Sequence, residues 1–249
     1  MKKESTIIDY FNKNSCQKII DNYGNPDVIT ATNVFAHIDK PNQVMENISY
    51  LLKNDGLFII EVHYLKSLIE TNQYDTIYHE HMRYYSLECL DNLLRGNGFK
   101  IFKAKLINTH GGSIRVYASR SDKFNIETSY YEILKAEKKF LDVESRLKSY
   151  KEIVQAQKIS LLKKLIDLKN EGKRVFGIGA PSRGTTLINF CGIDVSLLSC
   201  ICEIKGSHKI NKYLPGTSIP VIDEEILFEE QPDYVLLLSW HISGELINN

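Results

Sequence analysis

Leu57-Phe58-Ile59-Ile60-Glu61-Val62 is the stretch on which the fold turns. Its five apolar residues do not alternate with polar ones, the pattern of a strand covered on both faces within a parallel sheet. Upstream, a helical stretch from about Pro41 to Lys53 puts Val44, Ile48, Leu51 and Leu52 on one face and ends at Asn54-Asp55-Gly56. Before that helix, Asp27 to Ala31 reads as a strand entered from the turn Tyr23-Gly24-Asn25-Pro26. Downstream, Ser86 is placed to cap a helix that runs to Arg95 and stops at Gly96-Asn97-Gly98. Glu88 suits its dipole, and Cys89 stands where a capping-box acid more often sits. Phe99 to Ile107 and Ser113 to Ser119 then form a hairpin around Asn108-Thr109-His110-Gly111-Gly112. Strand, helix, strand, helix, hairpin is the second half of an open α/β sheet with an antiparallel edge.

From about Ile126 to Lys169 the chain becomes rich in Glu, Lys and Leu and holds no Gly or Pro. Phe140, Leu147, Val154, Leu161 and Leu168 recur every seven residues, with Val143 and Tyr150 between, which predicts one long helix or two end to end. A second α/β unit begins at Gly172-Lys173. It has a buried-type strand from Arg174 to Ile178, the tight loop Gly179 to Gly184, and a helix starting over Thr185 to Phe190. Further strands are expected near Leu198 to Cys202 and over Tyr234 to Leu238, with a short helix near Glu224. The expected domains are 1–122, a partial sheet domain; 123–171, a helical connector; and 172–249, a smaller α/β domain incomplete at its end.

The 249 residues carry 31 basic and 31 acidic side chains, so no overall field draws the chain to nucleic acid or anionic lipid. Apolar runs such as Tyr234 to Leu238 are far short of the roughly 20 residues that cross a bilayer. The first ten residues lack the apolar core of a secretory signal, and a cytoplasmic home is expected. Five cysteines without a CxxC pair predict neither a disulfide framework nor a structural zinc site.

The densest functional candidate is Tyr74-Asp75-Thr76-Ile77-Tyr78-His79-Glu80-His81-Met82-Arg83-Tyr84-Tyr85-Ser86, which follows a strand and precedes a helix, where open α/β sheets place ligands. His79 and His81 flank Glu80 without a third metal ligand at a recognised spacing. Acid–base chemistry by a histidine near neutral pH and a hydrogen-bonded surface cluster both fit this composition. His37 lies just past the first clear strand, a site position in such folds, although a lone histidine there also serves structure. His110 to Arg115 joins a flexible turn to an anion-binding type of side chain. Gly177-Ile178-Gly179-Ala180-Pro181-Ser182-Arg183-Gly184 approximates a dinucleotide fingerprint with its last glycine one place late. It suits a phosphate-bearing ligand. The acid that a nicotinamide cofactor needs after the second strand is represented only by Glu203, inside Cys200-Ile201-Cys202-Glu203.

Taken in order, Asn33-Val34-Phe35-Ala36-His37, Tyr78-His79-Glu80-His81 with Tyr85-Ser86, His110-Gly111-Gly112-Ser113-Ile114-Arg115, Gly177-Ile178-Gly179-Ala180-Pro181 and Leu214-Pro215-Gly216-Thr217 resemble the three-domain S-adenosylmethionine-dependent sugar C-methyltransferases. The resemblance runs over essentially the whole chain. It implies a fold made of the second half of a class I methyltransferase-like, Rossmann-like sheet, a helical connector and a second Rossmann-like domain. It also implies a reaction in which a base removes the proton beside the keto group of a nucleotide-linked deoxysugar and the enolate attacks the cofactor's methyl. By motif, His81 is the base, Tyr78 and Glu80 position it or the sugar, and His37 lines the same cavity near the keto oxygen. His110, Ser113, Arg115, Gly179, Ala180, Ser182 and Arg183 would bind substrate, and Asn33 and Ala36 cofactor.

The family's zinc-binding N-terminal domain and the glycine loop that holds S-adenosylmethionine are expected outside this sequence, in a longer chain or a separate polypeptide. No metal ligand set is expected within it. The competing expectation is a catalytically incomplete relative that binds a nucleotide sugar or serves as an interaction module. A dinucleotide-binding reductase is the third reading, and it would need a strand ending in an acid after Gly184.

Overall fold

The computed structural model of the protein describes residues 6–140, 143–240 and 243. The chain divides into two compact units, residues 1–67 with 82–142 and residues 68–81 with 143–249. The division differs from the borders expected from the sequence. Residues 68–81, which include the Tyr78 to His81 motif, group with the second unit.

In the first unit, α1 (Lys13–Tyr23) precedes β1 (Val28–Thr32), followed by α2 (Pro41–Leu51) and β2 (Leu57–His63). Helix α3 (Leu65–Glu70) straddles the division. The unit resumes with α4 (Leu87–Gly96), β3 (Lys100–Ile107), β4 (Ser113–Ser119) and α5 (Thr128–Phe140). The sheet order is β1-β2-β4-β3, with β1 and β2 parallel and the β3–β4 hairpin antiparallel beside them. This is the expected half-sheet with an antiparallel edge.

Phe58, Ile60 and Val62 of β2 and Ile114, Val116 and Ala118 of β4 pack against Met45 and Ile48 of α2 and Leu87, Leu90 and Leu94 of α4. The other face of β2 differs from the expectation of two apolar covers. Leu57 and Ile59 are only half-buried, and the residue that is fully buried there is the acid Glu61.

Two helical ends illustrate how the sequence closes its own backbone groups. Asn12 and Ser15 form a reciprocal capping box at α1, a helix with only Ser15 and Cys16 buried, which is why apolar periodicity does not reveal it. At α4, Ser86 Oγ accepts from the Cys89 amide as expected. The missing capping-box acid is replaced from α5, where the buried Glu137 carboxylate accepts from Leu87 N at 2.6 Å and Glu88 N at 3.0 Å.

The expected connector is thus two helices. Helix α5 lies against β3 in the first unit, and α6 (Val143–Asn170) belongs to the second. Of the heptad positions, Val154 and Leu168 are buried, whereas Leu147 is exposed.

The second unit continues with β5 (Val175–Ile178), α7 (Ser182–Cys191), β6 (Ile201–Glu203), β7 (Lys212–Tyr213), β8 (Pro220–Asp223), α8 (Ile226–Glu230) and β9 (Tyr234–Leu237). Its sheet order is β7-β8-β6-β5-β9, parallel except for β7. The parallel strands run outward from β5 in both directions. Their order is that of half a Rossmann sheet, and the switch point lies at the carboxyl end of β5. Leu165 and Leu168 of α6 and Ile188 of α7 close the core over Val175, Ile201 and Val221.

Candidate active site

The histidine motif of the second unit is folded on itself. A 3₁₀ turn, Tyr74–Thr76, buries Asp75 and Thr76 and leads into Tyr78, whose carbonyl accepts the His81 amide at 3.0 Å. His81 is buried, with its ring 4.2 Å from that of Tyr78. Its Nδ1 lies 3.0 Å from the Thr76 carbonyl oxygen and its Nε2 3.0 Å from the Tyr78 hydroxyl. A carbonyl can only accept, so Nδ1 carries the hydrogen of the neutral ring. Nε2 is then a lone pair that accepts from the Tyr78 hydroxyl. Burial, and after it the charge of Glu80, pushes the Tyr78 phenol above the ordinary tyrosine range and keeps it a donor. His79 and Glu80 are exposed and 4.0 Å apart.

The turn that carries this pair is gripped from α7. Arg183, 5% exposed, donates from Nε (3.1 Å) and Nη2 (2.8 Å) to the two carboxylate oxygens of Asp75, 1% exposed. Nη2 also reaches the Gln73 side-chain oxygen at 3.2 Å, and Trp240 Nε1 donates to Asp75 at 2.8 Å. Arg183 Nη1 is buried without a partner among the described residues. The side chain predicted to bind substrate is therefore engaged mainly with Asp75.

The other residues of the glycine loop line a different space. A cavity of about 290 Å³ is bordered by Ala180, Ser182 and Thr185 of the loop and α7, by Lys209 and Lys212, and by Tyr213. Lys209 Nζ donates to Ala180 O at 2.7 Å. Gly179 has φ +78°, and a Cβ there would stand 2.8 Å from Ser239 Oγ. A Cβ on Gly184 would stand 3.0 Å from the Leu238 Cβ, so the late glycine brings α7 close to the sheet. Glu203, unlike the sequence expectation, does end a strand, β6, and its carboxylate accepts from Ala180 N at 2.8 Å.

In the first unit, Asn33 follows β1 with φ +53° and its Oδ1 is buried without a partner among the described residues. Ala36 is buried and accepts the Met82 amide at 3.0 Å, and His37 is exposed at the end of a 3₁₀ turn. The hairpin residues are organised around Glu61, 3% exposed. Arg115 donates to it from Nε (2.7 Å) and Nη2 (2.6 Å), and Thr109 Oγ1 from 3.2 Å. Ser113 is buried and bonds the Thr109 carbonyl, while His110, at φ +51°, is exposed with its ring 5.7 Å from that of His63.

Within the second unit the predicted Tyr78, His81 and Arg183 thus belong to one hydrogen-bonded cluster, and Ala180 and Ser182 to one cavity. Within the first, Asn33, Ala36 and His37 share one loop, and Ser113 and Arg115 brace the hairpin that carries His110. Gln73, Trp240 and Glu61 are the residues that motif reading passes over, while Asp75, Thr76 and Thr109 stand inside the quoted stretches without an assigned role. The one local signal among them is an acid inside the apolar run of β2. Among the described residues no group of three or more His, Cys, Asp or Glu side chains could hold a metal ion, and no helix is long and apolar enough to cross a membrane.

A sequence profile described as C-methyltransferase C-terminal domain matches residues 108–249, and one described as methyltransferase domain matches residues 4–104. The C-methyltransferase NovU of Streptomyces niveus is 34% identical over 240 residues, which cover 94% of this chain and 56% of that protein. The chain spans about half the length of the curated relative it matches. A solved S-adenosylmethionine-dependent methyltransferase of Thermotoga maritima, described as a possible histamine N-methyltransferase, aligns with a TM-score of 0.33 and 18% identity over 38% of this chain and 56% of that one. Magnesium protoporphyrin IX methyltransferase of Synechocystis aligns with a TM-score of 0.31 and 16% identity over 39% and 46%.

Proposed function

The chain belongs to the family of the C-methyltransferase C-terminal domain, and from that premise we propose that it is the proton-abstracting part of an S-adenosylmethionine-dependent enzyme that methylates a carbon beside the keto group of a nucleotide-linked deoxysugar. The observation that carries the proposal is the His81 environment. Nδ1–H faces a carbonyl, so Nε2 presents a basic lone pair. In the resting site the Tyr78 O–H covers the Nε2 lone pair, so the hydroxyl turns away before Nε2 takes the proton, and the C–H electron pair then stays on the substrate as an enolate. The resulting imidazolium has two N–H groups, and both have acceptors already in place, Thr76 O on one side and the Tyr78 hydroxyl oxygen on the other. The charged form is therefore satisfied once the phenol hydrogen has turned away from Nε2. Glu80, by helping to keep the Tyr78 phenol protonated, preserves the donor to the resting base.

S-adenosylmethionine, when bound, supplies the electrophilic methyl group. The first unit fits it at Asn33, whose buried Oδ1 lacks a donor among the described residues, with Ala36 beside it. The nucleotide end of the substrate is assigned to the cavity at the start of α7, where Ser182, Lys209 and Lys212 suit a phosphate-bearing group. Among the described residues β1 has a strand neighbour on one side only, and further strands of the sheet, from a longer chain or a separate polypeptide, would pair there. Five free thiols suit a cytoplasmic setting.

Solvent exchange tests the base without methyl transfer. The chain is incubated in D₂O with nucleotide-linked keto-deoxysugars, and deuterium entry beside the ketone is followed by NMR. Exchange by the wild type and a fall of about 10²- to 10⁴-fold in His81→Asn are expected. Exchange that survives the substitution removes His81 as the base. Calorimetric binding of nucleotide sugar with no exchange in the wild type would favour the alternative binding module.

A further inference from the structure

We propose that Asp75, Arg183 and Trp240 are positioning residues that fix the tautomer and direction of His81, an inference that rests on His81 being the base. The geometry is specific to the turn. Arg183 bonds the side chains of Gln73 and Asp75, which stand on the same short turn as Thr76. Gln73 in turn holds Thr76 twice more through its carbonyl, which accepts Thr76 N at 3.2 Å and Thr76 Oγ1 at 2.8 Å. The Thr76 carbonyl oxygen is directed at His81, on Nδ1. A guanidinium fork therefore fixes the turn whose carbonyl decides which imidazole nitrogen is protonated.

Asp75 receives three donors, two from Arg183 and one from Trp240, whose ring also lies 5.0 Å from the guanidinium carbon. A buried ion pair of this kind gives little net stability over an apolar substitute, because its desolvation offsets its attraction. What it provides is one arrangement of the turn. Without it, the Thr76 carbonyl can rotate away, Nδ1 loses its acceptor, and the ring is free to carry its proton on Nε2, where it cannot act as a base. The adjacent residues on α7, Ser182 and Thr185, face the cavity, so the first turn of α7 serves two purposes.

The test reads the tautomer directly. In the full chain labelled with ¹⁵N-histidine, the His81 signals are assigned by their loss in His81→Asn and recorded above the titration of the ring. The wild type is expected as the Nδ1–H form. Arg183→Lys keeps the charge and loses the fork, and Trp240→Phe removes one hydrogen bond and keeps the ion pair. Arg183→Lys should give a mixture of tautomers and lower deuterium exchange 10- to 100-fold, with the KM for the nucleotide sugar unchanged. Trp240→Phe should shift both in the same direction by less.

An Nε2–H ring in the wild type, or an unchanged tautomer in folded Trp240→Phe and Arg183→Lys, would overturn the proposal. Should Arg183→Lys fail to fold, Trp240→Phe decides alone. If the tautomer shifts as expected while His81→Asn leaves exchange intact, the assignment of the base fails and the positioning of the ring stands.

Discussion

Removing either partner of the Glu61–Arg115 pair breaks the same salt bridge, and the two removals should differ in cost. Glu61 retains 4% side-chain exposure and Arg115 38%. When Arg115 is replaced by Met, the Glu61 carboxylate stays buried with Thr109 Oγ1 as its remaining side-chain donor among the described residues, at 3.2 Å. A buried charge stripped of its partner costs about 3–5 kcal/mol. When Glu61 is replaced by Gln, the guanidinium can turn its exposed edge to water and the amide oxygen still accepts from one donor, for a loss of about 1–2 kcal/mol. The difference of about 2 kcal/mol corresponds to a factor of roughly 30 in an opening equilibrium.

Hydrogen exchange on the amides of Ile60, Val62, Ile114 and Val116, which lie in the paired β2 and β4, reads that equilibrium for the first unit by itself. The single tryptophan, in the other unit, would not report it. Arg115→Met should accelerate exchange of these amides well beyond Glu61→Gln. The double variant should be more protected than Arg115→Met alone, because the second change deletes the stranded charge. Equal effects, or a double variant worse than either single one, would refute the idea that Glu61 is a desolvated charge whose need for Arg115 organises the hairpin.

Three other outcomes follow from the same structure. Tyr78 should ionise above the ordinary tyrosine range, seen as a 295 nm titration step present in the wild type and lost from its place in Tyr78→Phe. Because the folded phenol holds its proton longer than the unfolded one, its stabilisation is present below about pH 10 and is lost as pH rises through the folded value, so a step at the ordinary value would contradict its burial. Glu137→Gln should cost about 1.5–3 kcal/mol through the Leu87 and Glu88 amides and Ser86→Ala about 1 kcal/mol, measured by exchange at the start of α4, and the reverse ranking would show that the local cap, not the distant carboxylate, holds that end. Gly179→Ala should cost about 1–2 kcal/mol for its left-handed backbone and weaken calorimetric binding of a nucleotide diphosphate at the α7 cavity, whereas unchanged binding would show that the loop does not hold phosphate.

What the sequence reveals here follows the range of the interactions. β2, β5 and the hairpin are legible because apolar runs and turn residues act over a few positions. The Ser86 cap and the Tyr78 to His81 spacing are legible for the same reason. Helix α1 is not, because a surface helix with two buried residues has too weak a stripe. The acid that completes the α4 cap lies 50 residues from Leu87, and Arg183 lies 108 residues from Asp75, separations at which residue types carry no local pattern. The charged residues were legible as candidates and not as pairs. Arg115 reads as an anion-binding side chain within its motif and Arg183 as a substrate ligand by resemblance, and the fold pairs each with a buried carboxylate.

Glu203 shows why a residue at the right place is insufficient to assign a cofactor. It ends β6, the strand next to the glycine loop, which is where a dinucleotide-binding unit presents an acid to a ribose. On position alone, the reductase reading would gain from the structure. The carboxylate is used differently: Oε2 accepts from Ala180 N at 2.8 Å and Oε1 from Ile204 N at 3.2 Å, so it ties β6 to the loop. Glu61 does the equivalent in the other unit, where an acid near the end of a parallel strand ties β2 to the hairpin loop through Thr109 and Arg115. In both sheets the strand-end acid braces a loop of the chain itself. A ribose would have to displace the Ala180 amide from Glu203, and Glu203→Gln should accordingly loosen the Gly179-Ala180 backbone, seen as faster exchange of the Ala180 amide, before it alters any nucleotide preference. An unchanged Ala180 amide together with altered preference between ribose and deoxyribose nucleotides would return Glu203 to the role of a ligand-binding acid.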